Sequence, residues 1–269
     1  MRWPAPSTVR WGILVAVLVF WELMPQTKIV PELFLPALST TLKALWSERV
    51  EYFENLLVTL YEVGVAMLIA CGAGILVGAV VGGIATLRNI MLPIFSSLYA
   101  VPIVILYPIF TAWFGIGSES KIAFAGIYGF FPVMLSTAAG IRTIDPQYIL
   151  AARSMGATLP QQIMRVIIPA SIPTVLTGLR LGGALTIIGV VVSEMLTASA
   201  GIGYLVSRYR TILDSAHVFA AILMILLLSI LFDLFARTIE RHTLVWQTAG
   251  RRERGSTNQT STLPAPAPV

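Results

Sequence analysis

The chain has 269 residues, of which 57% are hydrophobic and 12% charged, against about 25% charged in ordinary globular domains. With a mean hydropathy of +0.83, this composition excludes a soluble globular domain and points to a polytopic membrane protein of one domain. The net charge of +5 sits in short loops between apolar runs, so it reads as membrane topology and not as a surface for nucleic acid.

The first apolar run covers about residues 10–24, from Arg10 through WGILVAVLVFWELM. It is short for a span of about 20 residues, and a cleaved signal peptide is the competing reading. No small-x-small pattern follows between Glu22 and Thr27, so an uncleaved anchor is expected, with Arg2 and Arg10 holding its start in the cytoplasm. After Pro36, the stretch LSTTLKALWSERVEYF places Leu42, Leu45, Trp46, Val50 and Phe53 on one helical face and Lys43, Glu48, Arg49 and Glu51 on the other. This predicts an amphipathic helix lying on the outer membrane face.

The second span is expected over about Leu56–Ile84, with Gly74, Gly78 and Gly82 spaced for close helix packing. The third, about Met91–Phe114, contains Pro93, Pro102 and Pro108. Prolines at membrane depth suit an irregular helix lining a pathway. Gly115–Lys121 forms an outer turn. The fourth, fifth and sixth spans are expected over about Ile122–Ile141, Ile172–Thr197 and Val218–Thr238. Residues 1–249 then form a single transmembrane domain, and residues 250–269 read as a disordered cytoplasmic tail.

Six spans put both termini inside, and the cations test that orientation. Arg2, Arg10, Arg88, Arg142, Arg153, Arg165, Arg180, Arg237, Arg241, Arg251, Arg252 and Arg254 fall inside. Lys28, Lys43, Arg49, Lys121, Arg208 and Arg210 fall outside. The excess on the cytoplasmic side agrees with the positive-inside rule.

The loop between spans four and five carries the most information. Asp145-Pro146 is a helix start, with Asp as N-cap and Pro in the first turn. The helix stops at Gly156, a C-cap glycine. Thr158 and Gln161 then form a capping box for a return helix that must end near Ile168, before Pro169. The first helix presents Tyr148, Leu150, Ala151, Ala152 and Met155, with Arg153 as its one charge. Such a knob either docks into a partner's groove or packs on its own bundle.

Arg153-Ser-Met-Gly-Ala157 and the following VIIPASIPTVLTGLR resemble the EAA loop of bacterial ABC importer permeases. In that family a coupling helix docks into a separate ATPase subunit. Glu194 in VVSEM, Gly201-Ile-Gly203 and LYAVPIVILYPIFTAWFGIGSESKI also resemble family motifs, and they occur in family order over about residues 30–240. The similarity is strongest to the branch importing nitrate, sulfonates, taurine, bicarbonate and thiamine-precursor-like compounds. It implies the type I importer permease fold in a bacterial inner membrane, a homodimer, two cytoplasmic ATPase subunits and a solute-binding protein outside. It also implies an ATPase-coupling segment (Tyr148, Leu150, Ala151, Ala152, Arg153, Met155, Gly156, Ala157) and a pathway or gate that includes Pro102, Pro108, Glu194, Gly201 and Gly203. Two positions depart from the family. Leu150 replaces the Glu that opens the loop, and Glu62 stands where many relatives carry Arg.

The chain has no G-x-x-x-x-G-K-[ST] sequence, so ATP and Mg are expected on the partner ATPase, with no cofactor bound by this chain. No metal or hydrolase motif is visible either, and a transport subunit rather than an enzyme is expected. His217 and His242 are expected at the interfaces, Cys71 in the core, and Asp233 in a pair with Arg237 one turn away. An ion-coupled secondary transporter is the alternative. It predicts internal repeats, and none is evident.

Overall fold

The computed structural model describes residues 6–27 and 30–243, and every regular element among them is a helix. In chain order these are α1 (Pro6–Gln26), α2 (Leu38–Ser47), α3 (Arg49–Gly83), α4 (Ala85–Ala100), α5 (Tyr107–Phe114), α6 (Ser118–Arg142), α7 (Pro146–Ser154), α8 (Leu159–Gln162), α9 (Ile168–Thr197), α10 (Ile202–Thr211) and α11 (Ser215–Thr243). A 3₁₀ turn (Ile103–Leu106) precedes α5, and a π turn (Ile163–Ile167) joins α8 to α9. Five runs are long and apolar enough to cross a membrane, and α4 with the 3₁₀–α5 segment makes a sixth, bent by 81°. The tail and the far N-terminus lie outside the described residues.

The bundle is built on α3, α6 and α9, and glycine lets them approach. A Cβ on Gly78 would lie 2.6 Å from the Met134 carbonyl oxygen, and one on Gly82 would lie 2.8 Å from Ala138 Cα. The predicted packing face of Gly74, Gly78 and Gly82 is therefore the contact between α3 and α6. In lipid, where burying apolar surface drives little, such backbone approach supplies the van der Waals contact that holds helices together. Gly182 of α9 meets the Gly129 carbonyl of α6 at 2.7 Å in the same sense.

α1 stands at the periphery and is almost unburied along its length. Its outer end is tied down by polar bonds. Trp21 donates its indole N–H to the Pro36 carbonyl (3.0 Å). The Glu22 carboxylate accepts from the Ser39 amide (2.9 Å) and hydroxyl (2.7 Å). Glu22 thus satisfies a first-turn amide of α2, which has no side-chain cap of its own.

Three expectations need correction. The amphipathic stretch is not one helix, because it breaks at Glu48 (φ −104°, ψ 26°) and its second half opens the long α3. Past the break, Tyr52 faces inward. It is buried against α10 and α11, and its hydroxyl bonds the His217 carbonyl at 2.8 Å. Leu42, Trp46, Val50 and Phe53 remain exposed on either side of the break, whereas Leu45, expected on the same face, packs against the core formed with α10 and α11. The return helix does not end before Pro169. Pro169 lacks an N–H and its ring would strike the carbonyl one turn back, and the wider π turn just before it removes the conflict. Helix therefore continues through Pro169 and Pro173 into span five. Finally, Lys121 lies in no loop. It is buried in the first turns of α6.

Candidate functional site

Two regions gather the residues singled out in the sequence. The first is the inner loop. Asp145 Oδ1 accepts from the Gln147 amide at 2.9 Å, which caps α7 as expected. α7 ends in a left-handed turn at Gly156 (φ +77°), a conformation that side-chain-bearing residues resist. The Ala157 amide reaches back to the Ala152 carbonyl (3.0 Å) and the Gly156 amide to that of Arg153 (2.9 Å), closing the end of the helix. Gln161 Oε1 accepts from the Thr158 amide at 2.8 Å and starts α8.

Gln162, which drew no notice in the sequence, stitches the loop together. Its side-chain amide donates to the Ala157 carbonyl (2.8 Å), and its oxygen accepts from Arg153 Nε (3.3 Å). Of the eight predicted coupling residues, Tyr148, Leu150, Ala151, Arg153, Met155 and Gly156 are exposed. Ala157 is half-buried and Ala152 is buried within the loop, so Ala152 supports the knob instead of presenting it. Met155 (80% exposed) and Leu150 (65%) are large apolar side chains held open on a fixed frame.

The second region is the outer end of the bundle. Chain reversal after α9 places Gly201 at φ +109°, and a Cβ there would collide with the Glu194 carboxylate. The first three residues of this turn into α10 have their amides taken by three side chains from other helices. Gly201 N–H donates to Asn55 Oδ1 (2.7 Å), Ile202 N–H to Thr59 Oγ1 (2.9 Å) and Gly203 N–H to Glu194 Oε2 (2.8 Å). Thr59 in turn donates to Glu194 Oε1 at 2.7 Å. A carboxylate at a helix N-terminus is stabilised by the free amides and the helix dipole. Glu194 is fully buried and is compensated in this way. It joins α3, α9 and α10 in a closed latch.

Glu194, Gly201 and Gly203 are thus brought together, and Pro102 and Pro108 are not. Pro102 marks the bend of the broken span, and Pro108 lies in the first turn of α5; both are exposed. The nearest link is one residue removed. Tyr107 OH lies 2.6 Å from Thr197 Oγ1, one turn beyond Glu194.

Glu62, on the same face of α3 as Asn55 and Thr59, is fully buried and ion-paired with Lys121; Ser118 donates to it at 2.8 Å. The departure at Glu62 is therefore a packing pair between α3 and α6. Outside the spans, Arg208 pairs with Glu51, whose hydrogen bond and charge push the guanidinium above its ordinary value. Burial works against the Asp214 carboxylate, but His217 (2.8 Å) donates to it and holds it below its usual range. At the inner end, Asp233 pairs with Arg237 (2.7 Å), as expected, and also with Arg180 (2.7 Å).

A bundle of membrane-length helices with one broken span, a tied outer end and an exposed, capped inner loop is the build of a multi-pass membrane protein. The chain belongs to the family described as the binding-protein-dependent transport system inner membrane component, which it matches over residues 70–245. It is 31% identical over 254 residues to the taurine transport system permease protein TauC of Escherichia coli, covering 91% of this chain and 92% of that one. It is 29% identical to the formylaminopyrimidine transport permease protein ThiX of Halalkalibacterium halodurans, covering 86% and 92%. Among solved structures, a chain of the inward-facing MetNI methionine ABC transporter shares the fold, with a TM-score of 0.60, 19% identity and coverage of 74% of this chain and 97% of that chain. The protein is a membrane-embedded ABC importer permease.

Proposed function

We propose that the chain forms half of the translocation path of an ATP-driven importer, as one of two identical copies, and that two ATPase subunits dock on the loop Pro146–Ala157. The observation that carries this reading is the fixed, solvent-facing pair Leu150 and Met155 on a helix capped at both ends. Apolar side chains held out on a short rigid helix fit a groove of a partner. The exposed apolar face of the bent span (Val104, Ile105 and Ile109) meets the second copy and lines the path with it. A solute-binding protein delivers substrate to the outer side, beside the latch at Glu194. ATP closes the ATPase pair and tips the bundle from inward-open to outward-open, a shift between two states.

The substrate is a small sulfonate-type anion. TauC, matched over most of both chains, supports this reading, and ThiX supplies the competing outcome. The test is uptake by the chain reconstituted with its neighbouring ATPase and binding protein. Taurine-like sulfonates are expected to be taken up and to compete with one another. Uptake of a formylaminopyrimidine instead would overturn the substrate. Uptake by this chain alone, driven by an ion gradient, would overturn ATP coupling.

A further inference from the structure

The 3₁₀ turn and α5 hang between two backbone joints. At the first, Val101 (φ −72°, ψ 132°) and Pro102 (φ −61°, ψ 97°) are extended, and the chain bends there by 81°. At the second, Gly115 takes φ +79° and ψ −178°, a region open to glycine and to little else. A Cβ on Gly115 would meet nothing within 4 Å, so glycine stands there for the backbone and not for space. The position of α5 is therefore left to its side chains.

One face of α5 is held in two ways. Tyr107 and Phe110 are buried against Phe124 of α6, with ring centroids 5.1 Å and 6.0 Å from it. The Tyr107 hydroxyl, 2.6 Å from Thr197 Oγ1, makes the one side-chain hydrogen bond from α5 to another helix among the described residues. Apolar burial is non-directional, whereas a hydrogen bond has a set length and angle. Thr197 is the last residue of α9, three past Glu194. The other face of the segment carries Ile105 (66% exposed) and Ile109 (43% exposed). Tyr107 and Ile109, two residues apart on a helix, point to nearly opposite sides.

We propose that Tyr107 is a positioning residue for transport: through Thr197 it makes α5 follow the outer end of α9, so that a shift beside Glu194 moves the side chains Ile105 and Ile109. This rests on the reading that their face lines the path. When the end of α9 shifts, the joints at Val101–Pro102 and Gly115 absorb the change in φ and ψ, and α5 travels as a unit. Without the hydroxyl pair, Phe124 still holds α5 against α6. Of the two helices that hold α5, only α9 carries a member of the latch, Glu194. α5 then stays with α6 while the end of α9 moves away.

The test uses the full chain reconstituted with its ATPase and binding protein, with taurine uptake and ATP hydrolysis measured together. Tyr107→Phe keeps the ring and removes the bond, and Thr197→Val removes it from the other side. Each is expected to lower uptake per ATP hydrolysed by about threefold to tenfold, the worth of one ordinary hydrogen bond. The double variant is expected to lose no more than either single one, and Thr197→Ser, which keeps the hydroxyl, to transport like the parent. A bond that serves stability alone would lower the unfolding midpoint and leave uptake per ATP unchanged. Parental uptake per ATP in Tyr107→Phe, or additive losses in the double variant, would overturn the proposal. Thiol labelling needs no transported solute and separates the proposal from the reading beneath it. In a Cys71→Ser background, Ile109→Cys is expected to react with a water-soluble maleimide at a rate that changes when ATP binds, and Tyr107→Phe is expected to abolish that change. No reaction in either state would take Ile109 out of the path and the proposal with it. A change that survives Tyr107→Phe would leave the path and remove the coupling.

Discussion

The Thr59 hydroxyl donates to Glu194 at 2.7 Å and accepts from the Ile202 amide at 2.9 Å, so one oxygen joins the carboxylate of α9 to the start of α10. Thr59→Val keeps the shape and removes both bonds. It leaves a buried amide unmatched and a carboxylate short of one donor, at a cost of about 1–3 kcal/mol for each such group. Thermal unfolding of the purified variant should show a clear loss of stability, and Thr59→Ser should restore most of it. A valine variant that melts like the parent would remove the latch from the stability account.

Gly201 tests the same latch from the backbone. At φ +109°, with the Glu194 carboxylate where a Cβ would stand, Gly201→Ala must shift α10 or expel the carboxylate. The expected outcome is normal membrane insertion with strongly reduced uptake, and greater protease access at α10. Unchanged uptake would show that α10 need not sit where it does.

Glu62 and Lys121 lend themselves to a double-mutant cycle. Removing either partner strands a buried charge, at about 3–5 kcal/mol, whereas replacing both with apolar residues costs far less. Glu62→Leu and Lys121→Leu should each be severely destabilised, and the double variant should recover much of the loss. Additive losses would mean that the two residues act independently.

The inner loop separates presentation from support. Met155→Asp and Tyr148→Asp alter exposed positions and should abolish co-purification with the ATPase subunit while leaving the unfolding free energy within about 0.5 kcal/mol of the parent. Ala152→Trp should instead destabilise the loop, because Ala152 is buried. Restoring the family's acid with Leu150→Glu should be tolerated in the fold, since position 150 is 65% exposed. If Met155→Asp binds the ATPase normally, the docking surface lies elsewhere.

Much of this was legible in the sequence, for physical reasons that differ between elements. Apolar runs and proline positions fix spans one to six, because lipid tolerates little else. Asp145, Gly156, Thr158 and Gln161 were readable because caps act on neighbours within a few residues. The small-residue face of α3 was readable for the same reason. What the sequence hid depends on contacts distant in the chain. Asn55 and Thr59 gain meaning only beside Gly201 and Ile202, more than a hundred residues away. Lys121 read as a loop cation because its partner, Glu62, lies on another helix. The break at Glu48 accompanies the burial of Tyr52 against α10 and α11, and the helix passes Pro169 through a local widening of the turn.

That widened turn has a mechanical consequence. Leu159–Thr197 forms one helical rod of 39 residues, about 58 Å long at 1.5 Å per residue. Its inner end carries Gln162, the stitch of the loop, and its outer end carries Glu194. Such a rod is a lever arm. A tilt of about 5° about the inner end swings the outer end by about 5 Å, close to one helical pitch. Any small tilt at the Gln162 end is therefore a larger displacement at the Glu194 end, beside the start of α10.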